Sequence, residues 1–248
     1  RDVAFARRSF AVAAGFGLAS VLSVIVLGDE SGYEAGDVQK TKLAAIEAEW
    51  ETHPAPAPFT LVGFPNQETM ETENAVRVPW VLGLIATRST DEEVIGIKDL
   101  MQVHEQRIYS GIEAYKYLTR LRAGDTSADT KAAFEQHKDD LGYGLLLKQY
   151  VENPADATPE QIQLAVKDTI PEVAPLFWTF RIMVAAGFWM LLLIALAFYS
   201  TIRRKCEQKR WLLRALLWSI PVPWIASEMG WFVAEFGRQP WAIGEVLP

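Results

Sequence analysis

The chain has only one cysteine, Cys206, among its 248 residues. A single cysteine excludes an internal disulfide framework and any metal centre that is built from several thiolates. Cys206 also lies in a basic segment, which is predicted below to face the cytoplasm. The large polar segment of the chain must therefore hold its shape by packing and hydrogen bonding alone.

The short motifs of soluble enzymes are absent as well. The sequence has no GxxxxGK, GxGxxG, GxSxG, HExxH or CxxC motif, so the chemistries that depend on these motifs are not indicated. Its three histidines, His53, His104 and His137, are far apart in the sequence. We expect each of them to be a solvated residue of a helix or linker, and they predict no metal cluster.

Long apolar runs are present, and they lie towards the two ends of the chain. Residues 9–28 and 182–202 contain no charged residue, and the run 215–227 continues through Glu228 towards Phe236. Runs of this length are typical of helices that cross a bilayer. The sequence predicts an all-α membrane protein, in which this chain contributes three transmembrane helices to a larger helical bundle.

Basic residues flank these runs on one predicted side of the membrane. Arg1, Arg7 and Arg8 precede the first run, and five Lys or Arg residues fall within 203–210, which indicates that both segments are cytoplasmic. The predicted order along the chain begins with a cytoplasmic flank at 1–8, a transmembrane helix at 9–28 and a periplasmic loop at 29–174. A second transmembrane helix at 175–202, a cytoplasmic link at 203–210, a third transmembrane helix at 211–237 and a periplasmic flank at 238–248 follow.

The periplasmic loop is acidic and mostly helical by pattern. It has 13 basic and 26 acidic residues, a net charge of −13, which disfavours nucleic acid and anionic lipid as its partners. Helical spacing and capping signals predict helices at 37–50, 91–122, 131–152 and from Thr158 to before Pro171. Ser89 and Glu92 resemble a capping box that opens the helix at 91–122, and Gly111 suggests a break within that helix. The alternating Pro and Ala residues of 53–59 predict a linker. Residues 60–89 show no clean helical or strand period.

Polar side chains form one line on the third predicted span. Glu228, Trp231, Glu235 and Arg238 follow i, i+3, i+7, i+10 spacing, which places them on one face of a helix. Glu235 and Arg238 could be a structural ion pair. Alternatively, a carboxylate faces a bound cationic centre while the arginine holds acidic groups at the edge of that cofactor. Haem offers an iron and two propionates, so it fits the second reading.

Two residues near the start of the second span suggest the same kind of ligand. The side chains of Arg181 and Met183 point about 200° apart on a helix, so only a large flat cofactor would meet both of them. Each also has a structural explanation. Met183 could be part of an ordinary packed core, and Arg181 could extend to the membrane interface.

Three stretches carry a resemblance to a known family. The segments GDESGYEAGDVQKTKLAAIEAEWE (28–51), FRIM (180–183) and GWFVAEFGRQPWAIGEVLP (230–248) resemble subunit I of the cytochrome bd ubiquinol oxidases with a long outer loop, called the Q-loop. The resemblance implies specific roles for residues of this chain. Lys42 and Glu47 are expected to contact quinol, and Met183 and Glu235 to ligate the iron of the low-spin and the high-spin haem b, respectively. Arg181, Trp231 and Arg238 are expected to lie beside the haems, with Glu228 on the same line.

The resemblance further implies a terminal respiratory oxidase in the bacterial inner membrane. Ubiquinol would be oxidised at the periplasmic Q-loop, and electrons would pass through the b haems to haem d, where O2 is reduced to water. A proton gradient would form without a pump. Expected partners are subunit II, a small accessory subunit and membrane lipid. Because the family's subunit I starts with further spans that carry histidine ligands, the chain is expected to be the central and C-terminal part of a longer protein.

Two alternatives come from other functional classes. A membrane-anchored extracytoplasmic sensor also has a span, an outer domain and a second span, but it needs a cytoplasmic output domain, whereas here only the short basic link 203–210 precedes another span. A structural membrane subunit is the other alternative. It gives no reason for Glu228, Trp231, Glu235 and Arg238 to fall on one line.

Overall fold

A computed structural model of the chain describes residues 2–86, 88–89 and 91–248. These residues are mostly helical and include one two-stranded antiparallel sheet. Two compact units are formed, one from Arg1–Glu34 with Trp178–Val233 and the other from Ala35–Phe177 with Ala234–Pro248. The elements are, in chain order, α1 (Asp2–Val38), α2 (Lys40–Glu47), β1 (Phe59–Asn66), β2 (Glu71–Val78), α3 (Val81–Ala86), α4 (Ile97–Arg122), α5 (Ala128–His137), α6 (Leu141–Leu145), α7 (Pro159–Asp168), α8 (Val173–Ile202), α9 (Arg210–Trp218) and α10 (Val222–Phe236).

Apolar helices make up the first unit. Two stretches of the described chain are long and apolar enough to cross a membrane, one in Asp2–Val38 and one in Pro159–Ile202. Little of either stretch is buried within the chain, and large side chains such as Phe16 and Phe188 are exposed. Helices that expose large apolar side chains over much of their length typically contact lipid or further helices.

The third predicted span is not one continuous helix. Helix α9 ends at Trp218 and α10 begins at Val222. Pro221 and Pro223 lie at this break, and proline lacks the N–H that would continue the helical hydrogen-bond ladder. The three-span count therefore remains a prediction. Helix α1 also runs past Gly28 to Val38, beyond the predicted end of the first span.

Helix α4 is the centre of the second unit, which contains the predicted loop from Ala35 onwards. The spacing of its apolar residues produces one buried face that includes Ile97, Leu100, Ile108 and Ile112. This face packs on α5, α6 and α7. The main core cluster consists of Ile108, Ile112, Tyr143, Leu146, Leu147, Ile162, Ala165, Val166 and Trp241.

The predicted break of α4 at Gly111 is wrong. The helix continues through this residue to Arg122. A Cβ atom on Gly111 would lie 2.3 Å from both the Asp140 carbonyl oxygen and the Gly144 nitrogen. Gly111 is therefore needed for the close approach of α4 to α6, and it does not mark a bend.

The capping signals of the loop gave mixed results. The predicted start of a helix at Thr158 is confirmed, because Thr158 is the N-cap of α7, where it and Gln161 exchange hydrogen bonds between side chain and backbone at 2.9 and 3.4 Å. The capping box predicted at Ser89 and Glu92 is wrong, since α4 begins only at Ile97. The helix predicted at 131–152 is divided into α5, α6 and short 3₁₀ turns.

The hairpin of β1 and β2 was missed in the stretch 60–89. Its register shifts between Thr60 and Val62 and again between Val62 and Phe64, and such irregularities remove the alternation by which strands are recognised. The Pro–Ala stretch before it is not a free linker. Ala57 is completely buried with Leu82, Ala86 and Val94, and its carbonyl accepts a hydrogen bond of 3.2 Å from the Gly83 N–H.

Gly111→Ala should destabilise the second unit by at least about 2 kcal/mol, because overpacking of a tight contact has this order of cost. Urea unfolding of the purified full-length protein, followed by tryptophan fluorescence, measures the effect. Gly32→Ala is the matched control, since a Cβ there meets nothing within 4 Å. An unchanged unfolding midpoint in Gly111→Ala would contradict the close crossing of α4 and α6.

Candidate functional site

Lys42 and Glu47 lie on the short helix α2. The chain leaves the helical conformation at Gln39 (φ −126°, ψ 61°), and α2 ends where Ala48 adopts a left-handed conformation (φ 54°). Glu47 is 3% exposed, whereas Lys42 is half-buried. The two residues are five positions apart, so their side chains leave α2 on different faces.

The Lys42 ammonium group lies in the electrostatic field of Glu235 and Arg238. Burial lowers the pKa of Lys42, the nearby Arg238 lowers it further, and Glu235 partly opposes this shift. Lys42, Glu235 and Arg238 all belong to the second unit. The structure therefore brings together a residue expected at the quinol and two residues expected at a haem.

Glu235 and Arg238 form an ion pair of 2.6 Å, with side chains that are 43% and 44% exposed. Arg238 follows the end of α10 at Phe236, and its guanidinium also donates a hydrogen bond of 3.3 Å to the Ala242 carbonyl. The structural ion pair, which was one of the two interpretations of this spacing, is therefore present in the protein. Both side chains are exposed enough to meet a further ligand.

Met183 of α8 lies against α10 within the first unit. A Cβ atom on Gly230 would be 3.0 Å from the Met183 sulfur, so the glycine leaves room for the thioether. Beside Gly230, Trp231 is 64% exposed, and Glu228 is exposed as well. Arg181 is half-buried, two residues before Met183 on α8.

This set of donors fits haem in part. A thioether sulfur is a known axial ligand of low-spin haem, and arginines suit propionates. The three histidines of the sequence all lie between residues 53 and 137, outside α8 and α10. No group of three or more His, Cys, Asp or Glu side chains among the described residues could hold a metal ion by itself. Met183 and Glu235 can thus supply at most one ligand each to an iron.

His104 was wrongly predicted to be solvated. It is 3% exposed, and its ring nitrogens lie 2.7 Å from the Thr169 hydroxyl and 3.3 Å from the Thr41 hydroxyl. The signal was available in the sequence, because His104 continues the apolar line of Leu100 and Ile108 on α4.

The other two histidines are partly buried and also have side-chain partners. His53 lies 3.3 Å from the buried carboxylate of Glu49. Burial, together with Arg77, lowers the pKa of His53. The ring of His137 is 2.9 Å from the Ser110 hydroxyl. Neither ring joins a set of metal ligands among the described residues.

A second polar group that the sequence did not reveal surrounds Arg107. Its guanidinium donates hydrogen bonds to Asp140 (2.7 Å) and Tyr143 (3.1 Å) and pairs with Glu245. The guanidinium also lies over the Tyr143 ring, 4.2 Å from the centroid, and the Trp241 ring contacts Tyr143 in a tilted arrangement with the centroids 4.7 Å apart. These contacts fix the segment after Arg238 to α4 and α6.

Comparison with known proteins gives a consistent family match. The whole chain, residues 1–248, matches the family described as cytochrome bd terminal oxidase subunit I. It is 44% identical over 248 residues to cytochrome bd-II ubiquinol oxidase subunit 1 of Escherichia coli (strain K12), covering 100% of this chain and 48% of that protein. It is 27% identical over 243 residues to cytochrome bd ubiquinol oxidase subunit 1 of Bacillus subtilis (strain 168), covering 98% of this chain and 40% of that protein. The chain thus spans about half the length of these relatives or less.

The second unit should lose stability as the pH falls from about 6.5 to about 4. Burial lowers the pKa of His104 to about 4, with Glu245 raising and Arg107 lowering it by smaller amounts. The unfolded chain binds a proton at an ordinary histidine pKa, whereas the folded chain does not until the lower value is reached. Between pH 7 and pH 5 the free energy of unfolding should fall by roughly 2 kcal/mol through this residue.

Urea unfolding of the wild-type protein and of His104→Gln at both pH values measures this contribution. The pH dependence should be smaller in the variant by that amount. Equal pH dependence in the two proteins would contradict a buried neutral ring.

Proposed function

Because the chain belongs to the cytochrome bd terminal oxidase subunit I family, we propose that it is the quinol-oxidising part, and a share of the haem-binding part, of a terminal respiratory oxidase. The observation that carries the proposal is the family match over all 248 residues. The activity is proposed for the whole subunit with its partners, subunit II and a small accessory subunit. A sensor or a structural subunit is not favoured by any comparable observation.

The proposed location is the bacterial inner membrane, with the segment 29–174 in the periplasm. Two long apolar helices with exposed surfaces support a membrane location. The basic residues around 203–210 support a cytoplasmic link. Helices α9 and α10 together would form the third span, interrupted at its prolines.

The proposed quinol site is on α2. A quinol that is oxidised to a quinone loses two electrons and two protons, so its site needs a donor that fixes an oxygen and a base that accepts a proton. Lys42 has three N–H donors and is already half-desolvated. The Glu47 carboxylate at the other end of α2 would accept a proton. Release of protons on the periplasmic side and their uptake from the cytoplasm for water formation would build a gradient without a pump.

The proposed haem contacts are divided between the units. Met183 would ligate the iron of the low-spin haem b, and Glu235 would ligate the iron of the high-spin haem b. Arg181 and Arg238 would hold propionates, Trp231 would contact a porphyrin, and Glu228 would lie nearby. Bound haems b and d would carry the electrons and supply the chemistry of O2 reduction. Haem d is expected to be held mainly by parts of the subunit outside this chain.

Lys42→Met and Glu47→Gln should each impair quinol oxidation while the haem spectra stay intact. Loss of a positioned base or donor lowers kcat/KM by about 100-fold or more. The measurement is steady-state oxidation of ubiquinol by the full oxidase in membranes. Lys40→Met is the matched control, because Lys40 lies on the same helix but is exposed. Normal turnover in both site variants would refute the assignment of α2.

Met183→Leu should remove the low-spin haem b signal, because leucine keeps the volume of the side chain but has no sulfur lone pair. Reduced-minus-oxidised spectra of the full oxidase measure this loss. Met190→Leu on the same helix α8 is the control and should keep the signal. If the low-spin spectrum of Met183→Leu equals that of the wild type, Met183 is not the ligand.

A further inference from the structure

We propose that His104 is a positioning residue for α2, which it holds through Thr41 so that the adjacent Lys42 stays in place for quinol. This inference rests on the proposed function of α2. It concerns His104, whose partners Thr41, Thr169 and Tyr143 are not among the residues proposed to contact quinol or haem. Its basis is the attachment of α2 to α4 at two points.

The first point of attachment is at the C-terminal end of α2. The Ile97 N–H donates to the Glu49 carbonyl at 2.8 Å, and the Lys98 N–H donates to the Trp50 carbonyl at 3.0 Å. These main-chain bonds join the residues that follow α2 to the first turn of α4. They fix one end of α2, and side-chain bonds between Lys98 and Glu51 (2.8 Å) and between Thr52 and Asp99 reinforce this junction.

The second point of attachment is His104, at the other end of α2. Its Nε2 lies 3.3 Å from the hydroxyl of Thr41 in the first turn of α2. His104 is seven residues beyond Ile97, a rise of about 10 Å along α4. Thr41 lies in the first turn of α2, and Glu49 lies two residues beyond its last residue. The two helices therefore run antiparallel, and α2 is attached to α4 near both of its ends.

The hydrogen bonds of Thr169 determine which nitrogen of His104 carries the proton. The Thr169 hydroxyl donates its one hydrogen to the Val166 carbonyl at 2.6 Å, so it accepts from His104 Nδ1–H at 2.7 Å. In a neutral imidazole the other nitrogen is then an acceptor. Thr41 must donate to Nε2, and the bond between α4 and α2 has a defined direction.

Apart from the Thr41 bond, helix α2 is held at its first turn by the packing of Leu43 against the cluster of Ala57, Leu82, Ala86 and Val94. It has eight residues, and Gln39 at its N-cap position makes no side-chain capping bond. Helices this short are not stable without tertiary contacts. Because Lys42 directly follows Thr41, a loss of the Thr41 bond acts on the position of the Lys42 side chain first.

Two substitutions at His104 separate positioning from general structural damage. Asparagine places an amide donor near the position of Nδ1, so His104→Asn keeps the bond to Thr169 and loses the bond to Thr41. Glutamine reaches the position of Nε2, so His104→Gln can still accept from Thr41. Thr41→Val removes the same bond from the α2 side with little change in volume.

The experiment measures quinol kinetics and amide hydrogen exchange in the full oxidase. Loss of one hydrogen bond corresponds to about a fivefold change. We expect His104→Asn and Thr41→Val each to raise KM for ubiquinol by about this factor with kcat nearly unchanged, and to speed exchange in α2 but not in α7. The double variant should be no worse than either single one. His104→Gln should restore KM and exchange to near the wild-type values.

Two results would overturn the inference. One is wild-type KM and wild-type exchange of α2 in both His104→Asn and Thr41→Val. The other is an equal defect in His104→Gln and His104→Asn, which would indicate a structural role only. Failure of the proposed function of α2 is distinguishable, because Lys42→Met and Glu47→Gln would then oxidise quinol normally, while the exchange of α2 still reports on its attachment.

Discussion

The interaction on which the second unit depends is the burial of Tyr143 beneath Arg107. Tyr143 is completely buried, and its hydroxyl accepts a hydrogen bond from the Arg107 guanidinium. A buried hydroxyl or guanidinium without a partner costs about 1–3 kcal/mol or more. Asp140 and Glu245 complete the pairing of Arg107. Because these partners come from α4, α6 and the end of the chain, the group forms only when all three segments are in place, which gives a disulfide-free domain its specificity.

The same constraint explains why a segment so close to the end of the chain is part of the core. Trp241 packs against the Tyr143 ring in a tilted arrangement and belongs to the main cluster. Val246 follows the α6 backbone so closely that a Cβ atom on Gly142 would lie 2.4 Å from its carbonyl oxygen. The Glu235–Arg238 pair immediately precedes this anchored segment. The position of the Glu235–Arg238 pair near Lys42 therefore results from the packing of this segment in the core as well as from charge.

The sequence predicted the helical character of the chain, the apolar stretches, helix α7 and the family, because these depend on local patterns and on long motifs. It did not predict the proximity of Lys42 to Arg238, which is a tertiary property of residues far apart in the chain. The hairpin was missed because its irregular register hides the strand period. His104 was taken as solvated although its spacing matched the buried face of α4. The polarity of the imidazole ring argued against burying it. Its burial is favourable only because the hydroxyls of Thr41 and Thr169 bond to its two nitrogens.

His104 and Arg107 are three residues apart on α4, so they leave the helix on the same side. Through Thr41, His104 contacts the segment that follows α1, and through Thr169 it contacts the segment that precedes α8. Arg107 contacts, through Glu245, the segment that follows α10. One turn of α4 therefore contacts three segments of the second unit that are far apart in the sequence. Moving any one of these segments would break a hydrogen bond at a buried or half-buried polar group, so the three segments share one point of attachment.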